Sequence, residues 1–177
     1  MSYRRQAARD AAALFIQQDI FKRSEHIACY FCFGDEFDAM PIMEAVWQAK
    51  KHCYLPVLTD EKELYFVEYM KGDALLPNRY SIQEPVNQAC EFPAENLDIV
   101  IVPLLAFDRD GQRLGTGGGY YDRTFHFLQD EPLHRPMMVG LGYEAQQEES
   151  LPREKWDVRL DAVLTEKKCL FKDTSSP

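Results

Sequence analysis

The residues best equipped for chemistry lie together in the run Asp108 to Arg123, DRDGQRLGTGGGYYDR. Gly115, Gly117, Gly118 and Gly119 fall within five positions, between an apolar run and a predicted helix start. Backbone N–H groups that carry no side chains can converge on an anion at such a turn. The first N–H groups of the helix add a partial positive charge. Arg113 and Arg123 flank the turn and can pair with phosphate oxygens. The same spacing also suits a tight turn that needs positive φ, and the residues alone leave both readings open. The run is not a P-loop, since no Gly-Lys-Ser/Thr follows. It is a poor dinucleotide fingerprint too, because Tyr120 stands where a third glycine belongs.

Other reactive side chains form weaker patterns. Cys29 and Cys32 have redox or zinc spacing, yet both fall in a predicted strand, where residues three apart face opposite ways. His26, His52, His126 and His134 are scattered without ligand spacing. No Ser-His-Asp or Cys-His arrangement stands out.

The elements that must hold the glycine turn read as an alternation of strands and helices. Apolar spacing predicts a helix over residues 4–20, with Ala8, Ala11, Ala12, Phe15 and Ile16 on its inner face. Residues 26–33 read as a buried strand, Gly34-Asp35-Glu36 as a turn. A second helix follows, capped by Asp38, with Pro41 in its first turn. Strands are expected at 52–58 and 64–69, a mostly irregular connection at 70–97, and a strand at 98–107. The unbroken branched run in that last segment suits burial on both faces. A helix over 120–128 and strands at 137–143 and 162–171 complete the pattern. It predicts an α/β layered fold with a mostly parallel central sheet and helices on both faces.

Composition agrees with one domain over residues 1–177 and a frayed tail at 172–177. In 177 residues, 46% are apolar, enough for a sizeable core. The 29 acidic and 20 basic side chains give a formal charge of −9, which disfavours nucleic acid or an anionic membrane as the main partner. No apolar run is long enough to span a membrane. Five cysteines, an odd number, suit reduced thiols and a cytoplasmic setting.

The run VPLLAFDRDGQRLGTGGGYYDR resembles the signature of the 5-formyltetrahydrofolate cyclo-ligase family, also called methenyltetrahydrofolate synthetases. Pro103, Phe107, Asp108, Gly111, Arg113, Leu114, Gly115, Gly117, Gly119, Tyr120, Tyr121 and Asp122 all fit it. Gly34-Asp35-Glu36, Tyr54-Leu55-Pro56, Ile82-Gln83-Glu84-Pro85, Leu151-Pro152, Trp156-Asp157 and the stretch from Asp161 to Glu166 are similar to other family segments.

The resemblance implies a sheet of the cyclo-ligase, NagB-RpiA-CoA-transferase-like kind. It also implies a reaction: ATP- and Mg²⁺-dependent closure of 5-formyltetrahydrofolate to 5,10-methenyltetrahydrofolate, with release of ADP and phosphate. Arg113, Leu114, Gly115, Thr116, Gly117, Gly118, Gly119, Tyr120 and Tyr121 would wrap the ATP phosphates, with Arg113 and Tyr121 in catalytic roles. Asp122 and Asp161 would be the Mg²⁺ carboxylates, although an acidic residue in a helix's first turn and one at a strand start also have plain structural uses. Phe31, Glu36 and residues 116–120 would face the folate, Glu36 toward the pterin N–H groups. A monomer is expected.

Two departures stand beside that resemblance. The family's basic N-terminal segment would precede Met1-Ser2-Tyr3, so the expectation is either a start at an internal Met or a homologue lacking that piece, with Arg4 and Arg5 belonging to the following helix. Gly118 stands where some members carry Lys. A catalytically weak nucleotide- or folate-binding homologue is therefore the alternative reading. A nicotinamide oxidoreductase has only Gly115-x-Gly117 in its favour.

Overall fold

The computed structural model describes residues 2–129 and 136–172. The expectations for His134 and for the tail beyond Lys172 lie outside the described residues. In chain order the helices and strands are α1 (Tyr3–Phe15), α2 (Asp19–Arg23), β1 (His26–Ala28), α3 (Met40–Gln48), β2 (His52–Leu58), β3 (Leu64–Glu68), β4 (Leu75–Pro77), β5 (Gln83–Pro85), β6 (Glu91–Phe92), β7 (Ile99–Pro103), β8 (Ala106–Phe107), β9 (Arg113–Leu114), α4 (Tyr120–Thr124), β10 (Met137–Leu141), β11 (Ala162–Leu164) and β12 (Cys169–Phe171).

Eight strands form the main sheet in the order β12-β11-β10-β7-β1-β2-β3-β6. The run from β11 to β2 is parallel throughout. Strands β12, β3 and β6 join antiparallel at the two sides. The fold is the mostly parallel α/β layering that the sequence predicts.

Period-two alternation assigns the core. Ile99 and Ile101 of β7 and Val139 and Leu141 of β10 join Ile27, Cys53 and Leu55 on one face, under α1 and α3. Val100, Val102 and Met138 point to the other face, under Phe125, Val158 and Leu160. Both faces of β7 are therefore dry, which is why its sequence is an unbroken branched run. Burying each such side chain contributes roughly 1.5–3 kcal/mol.

Several elements differ from expectation, each for a local reason. The predicted helix over 4–20 breaks after Phe15, and Gln18 takes an extended conformation. The break turns Phe21 onto Phe15, with ring centroids 5.2 Å apart. The strand expected over 26–33 stops at Ala28. Beyond it Cys29 and Tyr30 stay buried as loop, with the Tyr30 hydroxyl donating to the Phe37 carbonyl at 2.8 Å, while Cys32 and Phe33 emerge to the surface.

Within 70–97 the chain makes the β4–β5 hairpin and adds β6 to the sheet edge. Asn78 drives that hairpin turn, its Oδ1 accepting from the N–H groups of Tyr80 and Ile82. The run 98–107 divides into β7 and β8, and β8 pairs with β9 as a separate hairpin. The helix expected over 120–128 is α4 followed by a 3₁₀ turn at His126–Gln129. The run 162–171 is two antiparallel strands joined by a turn in which Thr165 Oγ1 accepts from the Lys167 and Lys168 N–H groups.

Candidate active site

The sheet topology marks a place for a ligand. From β1 the chain crosses through α3 to β2 on one side. From β7 it passes through the β8–β9 hairpin and α4 to β10 on the other. Strand order thus reverses between β1 and β7, and open parallel sheets bind ligands at the carboxyl ends of strands at such a point. The loops leaving β1 and β7 carry Glu36 and the glycine turn respectively.

Residues 115–119 link β9 to α4. Gly117 and Gly119 have φ of +88° and +67°, in the left-handed region. The turn therefore needs its glycines, as the plain structural reading holds. It also does more. Among the described residues, no hydrogen bond within the chain takes the N–H of Gly115, Thr116, Gly117, Gly118 or Gly119. A Cβ built on Gly115 or Gly117 would meet nothing within 4 Å. Five bared amides at the start of a helix, with open space at Gly115 and Gly117 and the Tyr120 ring and Arg123 guanidinium beside Gly118 and Gly119, form a cradle for anionic oxygens. Gly111 is different in kind. A Cβ there would lie 2.4 Å from the Leu160 carbonyl oxygen, so its role is close packing of the hairpin tip.

Arg113 lies beneath the turn, its side chain 7% exposed. One guanidinium nitrogen donates to the Val158 carbonyl and the other to Asp122 Oδ1 at 2.7 Å. The Val158 N–H donates to the same Asp122 oxygen at 3.0 Å. The three residues form a closed triangle that fixes the start of the turn to the first turn of α4. The exposed cation at the turn is Arg123, which donates to the Gly118 carbonyl and to the Lys62 carbonyl at 2.9 Å. Leu114 and Thr116 are exposed, and Tyr120 is partly buried against the sheet face that carries Phe125 and Val158.

Glu36 and Tyr121 lie near enough across the switch point for the charge of one to act on the other. Glu36 Oε2 accepts the Phe33 N–H at 2.8 Å. Burial pushes the Glu36 carboxyl above its ordinary range, against that hydrogen bond. Burial also raises the Tyr121 hydroxyl strongly, with the Glu36 charge adding to the effect. Tyr121 therefore stays protonated at neutral pH and is a hydrogen-bond donor, not a base. Phe31 packs edge-on against Tyr69 at 5.6 Å, between the core and this loop. Cys29 is buried and Cys32 exposed, so the pair forms no dithiol.

The structure does not bring Asp161 to Asp122. Asp161 precedes β11, and its Oδ2 accepts the Met138 N–H at 2.8 Å near the amino ends of the parallel strands. The glycine turn follows their carboxyl ends. Among the described residues no three His, Cys, Asp or Glu side chains cluster to hold a metal. Magnesium often takes one or two carboxylates and leaves the rest to phosphate and water. Of the two aspartates only Asp122 has that placement, and its Oδ1 is already shared by Arg113 and Val158.

Two groups near the site carry little or no signal in the sequence. Arg79 and Tyr80, from the β4–β5 turn, lie near Tyr120 without bonding its buried hydroxyl; Arg79 pairs with Asp60 at 2.9 Å and stacks over the Tyr80 ring. Arg4 of α1 grips the Gly34–Glu36 turn. The first depends on long-range folding. The second has one local hint, a cation in a helix's first turn, where the macrodipole disfavours it.

Comparisons with known proteins bear on this geometry. A family model described as the 5-formyltetrahydrofolate cyclo-ligase family matches residues 2–166. The 5-formyltetrahydrofolate cyclo-ligase of Escherichia coli K12 is 41% identical over 145 residues, covering 80% of this chain and 78% of that protein. The Haemophilus influenzae protein of the same description is 39% identical over 146 residues, covering 81% and 76%. The NMR structure of the Aquifex aeolicus 5,10-methenyltetrahydrofolate synthetase superposes with a TM-score of 0.80 at 29% identity, covering 98% of this chain and 84% of that one.

Proposed function

The chain belongs to the 5-formyltetrahydrofolate cyclo-ligase family and is a ligase, and on that premise we propose that it converts 5-formyltetrahydrofolate to 5,10-methenyltetrahydrofolate with consumption of ATP. The observation that carries the reading is the cradle of bared amides at residues 115–119, set across the switch point from Glu36.

The chemistry divides between substrate and protein. The formyl oxygen of the folate attacks the γ-phosphorus of ATP, and the bond to ADP breaks. The formyl carbon now bears a phosphate leaving group. The neighbouring folate nitrogen attacks that carbon, the five-membered ring closes, and phosphate departs with the former formyl oxygen. No protein nucleophile is required.

The turn amides stabilise negative charge on the transferring phosphoryl group, where phosphoryl transfer most needs help. Arg113 acts from below, holding the turn against Asp122 and Val158. Arg123 supplies the exposed positive charge. Glu36 accepts hydrogen bonds from the pterin ring, and protonated Tyr121 donates one beside it. Phe31 lines the approach. Holding the two reactants together lowers the entropic part of the barrier.

Magnesium carried in on the phosphates would find Asp122 as its protein carboxylate and would offset phosphate charge. Asp161 is not placed to share that role.

The test is the absorbance of methenyl-folate on mixing the purified chain with ATP and 5-formyltetrahydrofolate. A rise that needs both supports the reading. Binding of both without turnover would select the alternative of a non-catalytic homologue.

A further inference from the structure

Arg4 is the second helical residue of α1, where the free N–H groups repel a cation. Its guanidinium nevertheless makes three hydrogen bonds to one turn: to Asp35 Oδ1 at 3.0 Å, to the Gly34 carbonyl at 3.2 Å and to the Glu36 carbonyl at 3.0 Å. The two carbonyls flank Asp35 and share one guanidinium nitrogen, Nη2, while Nη1 takes the Asp35 carboxylate, so the guanidinium sits over the turn that Gly34 opens with φ +61°. The Asp35 side chain is fully exposed, and a pair of that kind contributes little. The carbonyl bonds set the geometry.

What they set is Glu36. Its carboxylate folds back onto the Phe33 N–H of the same turn, so its direction follows the backbone that Arg4 holds. Aromatic packing closes the same corner, with Tyr143 stacked on Tyr3 at 6.0 Å and against Phe37 at 4.5 Å. We propose that Arg4 is a positioning residue that fixes the folate-facing carboxylate of Glu36 from the first helix. The inference rests on the reading of Glu36 given above.

The experiment is a double-mutant cycle on Arg4→Ala and Glu36→Gln, reading KM for 5-formyltetrahydrofolate and for ATP separately. Each single variant raises KM for the folate about tenfold and leaves KM for ATP within about twofold. The double variant is no worse than Glu36→Gln alone, because Arg4 acts only through Glu36. Asp35→Ala changes neither constant by more than about twofold.

Arg4→Lys, which keeps the charge and one donor nitrogen for the carbonyls but on a shorter stem and without the second nitrogen, lies between parent and Arg4→Ala. It also serves if the alanine variant folds poorly. An unchanged folate KM in the Arg4 variants alongside a raised one in Glu36→Gln overturns the proposal. So do effects that multiply in the double variant. If Glu36→Gln itself leaves folate KM unchanged, the assignment of Glu36 fails, and this inference fails with it.

Discussion

Arg113 and Asp122 meet at 2.7 Å at the foot of the glycine turn, with the Val158 backbone bound to both. The pair joins the strand that enters the turn to the helix that leaves it.

Replacing Arg113 by Ala strands a partly buried carboxylate and unties the turn. The expected cost is about 2–4 kcal/mol in urea unfolding, with loss of measurable ATP binding in calorimetry. Arg113→Lys presents one ammonium in place of a fork and cannot hold both partners. It should recover less than half of the lost stability.

Gly115→Ala separates ligand from fold. Its Cβ enters open space and its φ is not in the left-handed region, so stability should move by less than about 0.5 kcal/mol. The methyl group intrudes where phosphate oxygens would approach, and ATP affinity should fall at least about tenfold. Gly111→Ala should do the reverse, unfolding the chain by more than about 2 kcal/mol through its clash with Leu160. Undiminished ATP affinity in Gly115→Ala would remove the cradle from the mechanism.

Glu36 makes stability depend on pH with a definite sign. Its carboxyl is raised by burial, so the folded chain holds that proton more tightly than the unfolded chain does. Its contribution is fully present below the ordinary value of 4.5 and is lost as pH rises through the raised one. Glu36→Gln removes that slope. In thermal melts the variant should gain on the parent as pH rises through that window, while its folate affinity falls.

Asp122→Asn and Asp161→Asn should part company in a magnesium titration of the reaction. The first weakens both the hold on Arg113 and the carboxylate nearest the phosphates, so half-saturation should move upward by about tenfold. The second should leave it within about twofold, since Asp161 serves the Met138 N–H near the amino ends of the strands. Equal shifts in the two variants would contradict this placement.

Much of this was legible from local pattern. The branched run of β7 announced a strand dry on both faces. The glycine spacing announced a turn with bare amides, whereas Glu36 was singled out only by the resemblance of Gly34-Asp35-Glu36 to a family segment. What stayed hidden depends on distance along the chain. Nothing near Arg113 says that the Val158 carbonyl will accept a hydrogen bond from it, so a phosphate ligand and a structural tie look alike in one dimension. Asp161 and Asp122 both sit at element starts, yet one lies near the amino ends of the strands and the other beside the carboxyl-end loops, and only topology tells them apart. Residues 29–33 read as β from their apolar composition, which does not reveal that Cys29 and Tyr30 are buried as loop and that Cys32 and Phe33 face out.

The grip of Arg4 on one wall and of Val158 on the other sets a timetable for synthesis. A nascent chain that has already formed β1, β2 and β7 still lacks the brace under its glycine turn. Competence to bind nucleotide should therefore arrive late, nearly all at once, after Val158 clears the ribosome.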